Sequence, residues 1–223
     1  MLRSAWIVIA ALLLLTSLGV CQTQGHFDAS FNSALIFTRS SDANAVQQSA
    51  TIAADYFGTF RLRLNKKSKN SLIFNFGYAK NSQVYQTNFN YHQLDTIHEY
   101  TAAYVRNFYE KGKFQPFFLV GAGALDFYPR STWVFFPPIQ PNNVPNNIQI
   151  NVNAQTQWEA AILYGGGVDY ALPWKFALRL QYRGLYYNNP NFKVNNLNGS
   201  NISFVSGYRG HMAEPSIGLV FRF

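Results

Sequence analysis

The sequence predicts an all-β protein: an eight-stranded antiparallel up-and-down transmembrane β-barrel, preceded by a signal peptide. Three observations predict it. Extended runs alternate apolar and polar residues with period two and mostly exceed ten residues. Strands of soluble domains usually run about 5–6 residues, whereas crossing a bilayer takes about 9–11 at a 45° tilt. The connections between runs alternate short and long, which places all short turns at one rim and all long ones at the other. Composition agrees: aromatics make up 17% of the 223 residues, with 20 Phe and 14 Tyr, while charged residues are only 13%, about half the globular norm.

The N-terminus is a targeting message. Arg3 precedes an unbroken apolar run over residues 5–15, followed by Thr16-Ser17-Leu18-Gly19. A membrane-spanning helix needs about 20 apolar residues, so residues 1–21 read as a secretory signal peptide. Cleavage falls after Cys21 or as late as Gly25. Leu18-Gly19-Val20-Cys21 also roughly fits a lipobox, although Val20 is larger than the residue usual there, and a lipidated Cys21 is the alternative. Cys21 is the only cysteine. The remaining residues, 22–223, form one barrel domain with no disulfide, thiol chemistry or cysteine-based metal site.

Eight candidate strands follow. The first, residues 27–38, sets Phe27, Ala29, Phe31, Leu35 and Phe37 against Asp28, Ser30 and Asn32. The second, 49–64, sets Ile52, Ala54, Tyr56, Phe60, Leu62 and Leu64 against Thr51, Asp55, Thr59, Arg61 and Arg63. The third, 71–82, sets Leu72, Phe74, Phe76 and Tyr78 against Asn75, Gly77 and Asn81. The fourth, 96–109, sets Tyr100, Ala102, Tyr104 and Phe108 against Glu99, Thr101, Ala103 and Asn107. In the fifth, 114–128, both faces are apolar: Phe117, Leu119, Leu125 and Phe127 with Gly121 and Gly123 on one, Phe118, Val120, Ala122 and Ala124 on the other. The sixth, 154–170, sets Trp158, Ala160, Ile162, Tyr164, Val168 and Tyr170 against Gln157, Glu159, Gly165, Gly167 and Asp169. The seventh, 175–187, sets Phe176, Leu178, Leu180, Tyr182 and Tyr186 against Arg179, Gln181 and Arg183. The eighth, 209–223, sets Ala213, Pro215, Ile217, Leu219, Phe221 and Phe223 against Met212, Glu214, Ser216, Gly218, Val220 and Arg222.

Short turns are expected at 65–70, 110–113 and 171–174, and long connections at 39–48, 83–95, 129–153 and 188–207. The last two are Asn- and Pro-rich, as turns demand. Trp133, Phe135 and Phe136 need a burial site in a long loop, so that loop is expected to fold over the barrel mouth or dip into the outer leaflet, or else to offer a contact surface.

If the aromatic faces meet lipid, parity sends five acids and five arginines inward: Asp55, Glu99, Glu159, Asp169 and Glu214 with Arg61, Arg63, Arg179, Arg183 and Arg222. Charges withdrawn from water must pair, and a barrel of eight strands is just wide enough for side chains to fill. An interior ion-pair network is therefore expected, with Arg183 near Glu159 and Glu214, its planar fork suited to bridging two carboxylates. No metal site, cofactor or catalytic residue is expected. Only His26, His92, His98 and His211 could serve a triad, and neither Gly-x-Ser-x-Gly nor His-Glu-x-x-His occurs. Gly165-Gly166-Gly167 and Gly121-x-Gly123 lie within strands, where glycine permits bending and close packing, rather than before a helix that could bind phosphate. The net charge of +8 comes from scattered basic residues, so no nucleic-acid partner is expected.

The strand pattern, the alternating connections and the Phe223 ending resemble the small bacterial outer-membrane β-barrel superfamily that includes OmpA-type transmembrane domains, OmpX, OmpW and opacity-like proteins. Residues 100–108 (YTAAYVRNF) and 114–125 (FQPFFLVGAGAL) look like the middle of such barrel domains. The resemblance implies a place in the outer membrane among its lipids, and recognition by the barrel-assembly machinery through the C-terminal strand, with Phe221 and Phe223 as the signal. The expected role of this monomer is structural or surface interaction, with connections 129–153 and 188–207 extracellular and open to a partner. The alternatives are a narrow channel for small or apolar solutes, a lipid-modifying enzyme using His98 or His211, and a soluble lipocalin-like binder.

Overall fold

The structure is a computed structural model, and the residues it describes are 27–40, 47–48, 51–64, 69–86, 90–108, 112–136, 148–151, 153–192 and 209–223. The signal peptide, Cys21, His26 and residues 193–207 lie outside the described residues. The elements in chain order are β1 (Phe27–Ser40), β2 (Gln47–Gln48), β3 (Thr51–Arg63), β4 (Asn70–Gln86) and β5 (Asn90–Asn107). They continue with β6 (Phe114–Phe136), β7 (Ile148–Asn151), β8 (Gln157–Ala171), β9 (Phe176–Asn188) and β10 (Arg209–Arg222).

Eight long strands close on themselves. Every chain neighbour among them pairs antiparallel, and β1 pairs with β10 so that Phe31 sits opposite Leu219. Closure leaves no free edge in the wall, which is what a sheet in hydrocarbon requires. The outward faces are those the sequence pattern assigned. Phe31 is 63% and Phe76 58% exposed, and Ile162, Leu180, Ile217 and Leu219 also point out. Asp55, Arg61, Arg179, Arg183 and Glu214 are buried inside. A wall with its aromatic and branched side chains outward and its arginines inward has the polarity of a protein dissolved in lipid.

The interior is more apolar than parity suggested. Phe117, Leu119, Leu125 and Phe127 of β6, whose orientation the pattern left open, turn inward and join Ile36, Ile73, Ile97, Leu163, Leu185 and Met212 in a lumenal core. Glycine makes the space: a Cβ at Gly121 would come within 2.6 Å of the Ala103 Cβ, and one at Gly123 within 2.8 Å of the Thr101 methyl. The in-strand glycines are thus structural, as expected.

Both chain ends of the barrel and the turns after β3, β5 and β8 share one rim. Phe223 N donates to Phe27 O at 2.9 Å there, and Gly112 takes φ 107° in the turn after β5, a value that glycine adopts without steric cost. At the other rim the sequence reading needs correction. Connections 83–95 and 129–153 are not all loop. β4 runs on to Gln86, β5 starts at Asn90, and the two stay in register up to the Gln86–Asn90 pair. β6 continues to Phe136 and is joined by β7, while β2 pairs with the end of β4. With 17, 18 and 23 residues, β4, β5 and β6 outrun the bilayer and raise a hydrogen-bonded sheet above half of the mouth.

Candidate functional site

The lumen is filled by two charge clusters, and strand register explains both. In the upper one, Arg183 on β9 sits directly opposite Glu214 on β10 and donates to its Oε2 at 2.5 Å. Gly165 on β8 and Gly77 on β4 leave the wall bare at this level, so the guanidinium reaches across to Glu99 on β5. It donates to both Glu99 oxygens, at 3.1 and 2.8 Å. Asp55 Oδ2 stands 3.7 Å from the same guanidinium but accepts no hydrogen bond. The Phe57 ring lies 3.5 Å from the guanidinium carbon, a cation–π platform in a desolvated site. Three carboxylates thus share one arginine. Their oxygens converge within 4.8 Å of one another, closely enough to hold a cation, and Arg183 is the cation they hold.

The lower cluster has the opposite balance. Arg179 meets Asp169, its partner across β8–β9, through a fork at 2.7 and 2.9 Å. Arg61 approaches Asp169 at 3.4 Å and Asp28 at 3.7 Å, and Arg63 reaches Asp28 at 3.4 Å. Arg222 donates to Gln115 at 2.8 Å and lies 3.9 Å from Asp169. The Arg61 and Arg179 guanidiniums both lie against the Phe117 ring, at 5.0 and 5.1 Å from its centroid. Four arginines here face two acids.

A polar layer separates the two clusters. Ser30 and Thr59, opposite each other in register, share a short hydroxyl–hydroxyl contact and accept from Arg179 Nη1. Asn75 donates to Thr101, and Thr101 donates to Glu99 at 2.6 Å. A cavity of about 10 Å³ beside Asp55, Glu99 and Glu214 is the space left near the upper cluster, about that of one water.

Nine of the ten residues expected in the interior network are in it. Glu159 is the correction: Arg183 registers with Gly165, not with Glu159, which stands higher on β8 and accepts from Gln157 at 2.6 Å. Its place is taken by Asp28, and Asp95 on β5 is also buried inside with neither carboxylate oxygen hydrogen-bonded, so the described interior holds six acids and five arginines. Phe57 and Phe117 were missed; the available signal was a pair of aromatics at adjacent positions, Tyr56-Phe57 and Phe117-Phe118, one of which must point inward.

The mouth is covered by a residue the sequence reading did not select. Phe192 is fully buried with φ 52° and packs edge-on against Phe127, with ring centroids 6.4 Å apart. Gln157 accepts from the backbone N–H groups of Asn191 and Phe192. Trp133, expected over the mouth, instead stacks on His92 within the raised sheet at 5.3 Å. His98 Nδ1 lies 3.6 Å from Asp126 and against Tyr78, and His211 is bonded to Tyr164 at 2.7 Å. Among the described residues neither imidazole is hydrogen-bonded to a serine or threonine.

No protein-family model matches the chain, and no curated protein matches it. Among solved structures it is similar to Neisserial surface protein A, NspA (14% identity, 91% of this chain and 100% of that one, TM-score 0.46). It is also similar to Ail, the attachment invasion locus protein of Yersinia pestis, in complex with the heparin analogue sucrose octasulfate (11% identity, 90% and 100%, TM-score 0.48). A third likeness is to the outer membrane protein OprG from Pseudomonas aeruginosa (11% identity, 91% and 98%, TM-score 0.47). By its own geometry, with a wall that closes on itself, apolar side chains outward and short turns gathered at one rim, the chain has the fold of a small eight-stranded antiparallel β-barrel.

Proposed function

We propose that this protein is a closed outer-membrane barrel whose work is done at its extracellular end: a plugged anchor that presents a raised β-sheet to a partner outside the cell. The observation that carries this reading is the continuation of β4, β5 and β6 beyond the length a bilayer needs, joined by β2 and β7. A strand held in register above the membrane gives nothing to the wall within lipid. It does provide a rigid surface, and loops on a rigid scaffold are where binding residues concentrate. The lumen supports the same reading, because Arg183, Phe117 and Phe192 occupy it at three successive levels.

The test is conductance of the purified, refolded protein in a planar bilayer. A silent barrel is expected. Discrete single-channel steps from the unmodified chain would overturn the plugged reading and move the function into the lumen.

A further inference from the structure

The upper charge cluster holds more acid than its arginine can serve. Asp55 on β3, Glu99 on β5 and Glu214 on β10 come from three separate strands, and all three are buried. Arg183 donates to both oxygens of Glu99 and to Oε2 of Glu214. Asp55 is left over: it is 2% exposed, and its Oδ2 accepts no hydrogen bond from the protein. Three carboxylates around one guanidinium leave two negative charges in surplus at this level. Charges withdrawn this far from water are paired or coordinate a metal.

The space beside them has room for a single small particle. The cavity of about 10 Å³ is bordered by these three acids and otherwise by Gly77, Ala79 and apolar side chains such as Ile36, Ile97, Leu125 and Leu185. Gly77 keeps it open, since a Cβ there would come within 3.0 Å of Glu99 Oε2. Carboxylates are therefore the only oxygen-bearing side chains in its lining. One oxygen from each acid lies within 4.8 Å of the others. Oxygens that share a Ca²⁺ at about 2.3–2.6 Å can stand at most about 5 Å apart, so this spread fits one ion. Hard carboxylate oxygens suit Ca²⁺ and Mg²⁺ rather than softer metals. Mg²⁺ keeps several of its waters, and a cavity the size of one water has no room for them.

We propose that Asp55, Glu99 and Glu214 bind one calcium ion inside the lumen, beside Arg183. The ion supplies the two positive charges that the arginine leaves wanting, and Asp55 is the ligand that Arg183 does not use. Arg183 keeps its bonds to Glu99 and Glu214, because a carboxylate oxygen accepts more than one partner. Phe192 closes the lumen above this level and Phe117 fills it below, so the ion enters as the barrel closes and is held afterwards. The inference does not rest on the role of the raised sheet, and the conductance test leaves it untouched.

The experiment refolds the full chain into neutral detergent with millimolar calcium and magnesium chloride, then strips accessible metal with EDTA and desalts. Metal per barrel is measured by inductively coupled plasma mass spectrometry. One calcium per barrel is expected to stay. Asp55→Asn should retain at least about tenfold less, since loss of even an outer-sphere partner costs a metal site that much. Asp95→Asn, which neutralises a buried acid outside the cluster, should retain as much as the unmodified chain. The urea midpoint is the second readout. Refolded in EDTA, Asp55→Asn is the more stable chain; calcium raises the midpoint of the unmodified chain and leaves that of Asp55→Asn where it was. No retained calcium in the unmodified chain, equal retention by Asp55→Asn, or an equal loss in Asp95→Asn would overturn the site. Preferential retention of magnesium would overturn the assignment to calcium. Heat-modifiable gel migration confirms that each chain is folded; should Asp55→Asn not fold, the calcium content and midpoint of the unmodified chain decide alone.

Discussion

Arg183 and Asp55 sit 3.7 Å apart in the same cluster, and their removal should move stability in opposite directions. Arg183→Met deletes the one cation among three buried carboxylates and breaks its hydrogen bonds to Glu99 and Glu214. Breaking a buried pair from one side typically costs about 3–5 kcal/mol, and that is the expected loss. Asp55→Asn is different. At an effective dielectric of about 20, the attraction of Asp55 to Arg183 over 3.7 Å is about 4.5 kcal/mol. Its repulsions from Glu99 and Glu214, whose oxygens lie within 4.8 Å, are each at least about 3.5 kcal/mol. The balance is repulsive by roughly 2–3 kcal/mol on that estimate, before counting the burial of a carboxylate oxygen that accepts no hydrogen bond. An asparagine amide keeps the shape and sheds the charge.

Asp55→Asn is therefore expected to raise unfolding stability by about 1–3 kcal/mol, allowing for relaxation of the cluster. The assay is urea-induced unfolding from phosphatidylcholine vesicles, followed by heat-modifiable gel migration and tryptophan fluorescence. Destabilisation by Asp55→Asn of more than about 1 kcal/mol, of the order of one lost hydrogen bond, would refute the charge argument. It would make Asp55 a required ligand of the guanidinium rather than the surplus acid.

Four further outcomes are expected. Phe117→Ala removes the ring against which Arg61 and Arg179 both lie and should cost about 3–5 kcal/mol in the same urea assay; a loss below about 1 kcal/mol would show that the guanidiniums do not depend on it. Gly121→Val places a side chain against the β5 backbone, and the barrel is expected not to reach its folded gel position. A Ser131→Cys variant, on the β6 extension, should react with a membrane-impermeant maleimide on intact cells while Lys113→Cys, in a short turn, should not; the reverse pattern inverts the barrel. Deleting Phe223 removes its bond to Phe27 O and its ring contact with Phe221. Assembly in cells should fall while refolding into vesicles persists, and unchanged assembly would end its role as a signal.

The two faces of the wall were legible in the sequence because alternation is a local property, and lipid enforces it residue by residue. Which acid meets which arginine was not, because parity gives a face but no height. Register is a relation between strands, so Glu159 and Arg183 share the interior without sharing a level. The ends of β4, β5 and β6 were read as loop for a related reason. Above the hydrocarbon no lipid demands an apolar side, and polar residues such as Gln83, Gln93 and Thr132 are buried there within strands that carry no lipid signature. The lumenal aromatics were hidden by the rule that found the lipid-facing ones: Phe57 and Phe117 violate the polarity of a barrel interior, and only a guanidinium against each makes sense of them.

That pairing also bears on what the lumen can do. With three acids to one arginine above and four arginines to two acids below, neither cluster is balanced alone. The Ser30–Thr59 pair, hydrogen-bonded to Arg179 below, and the Asn75–Thr101 pair, hydrogen-bonded to Glu99 above, lie side by side between them. Moving Arg183 aside to clear the upper level would strand three carboxylates and break its hydrogen bonds to Glu99 and Glu214. Opening the upper level would therefore cost those bonds, which is why a silent barrel is the result expected in the conductance test.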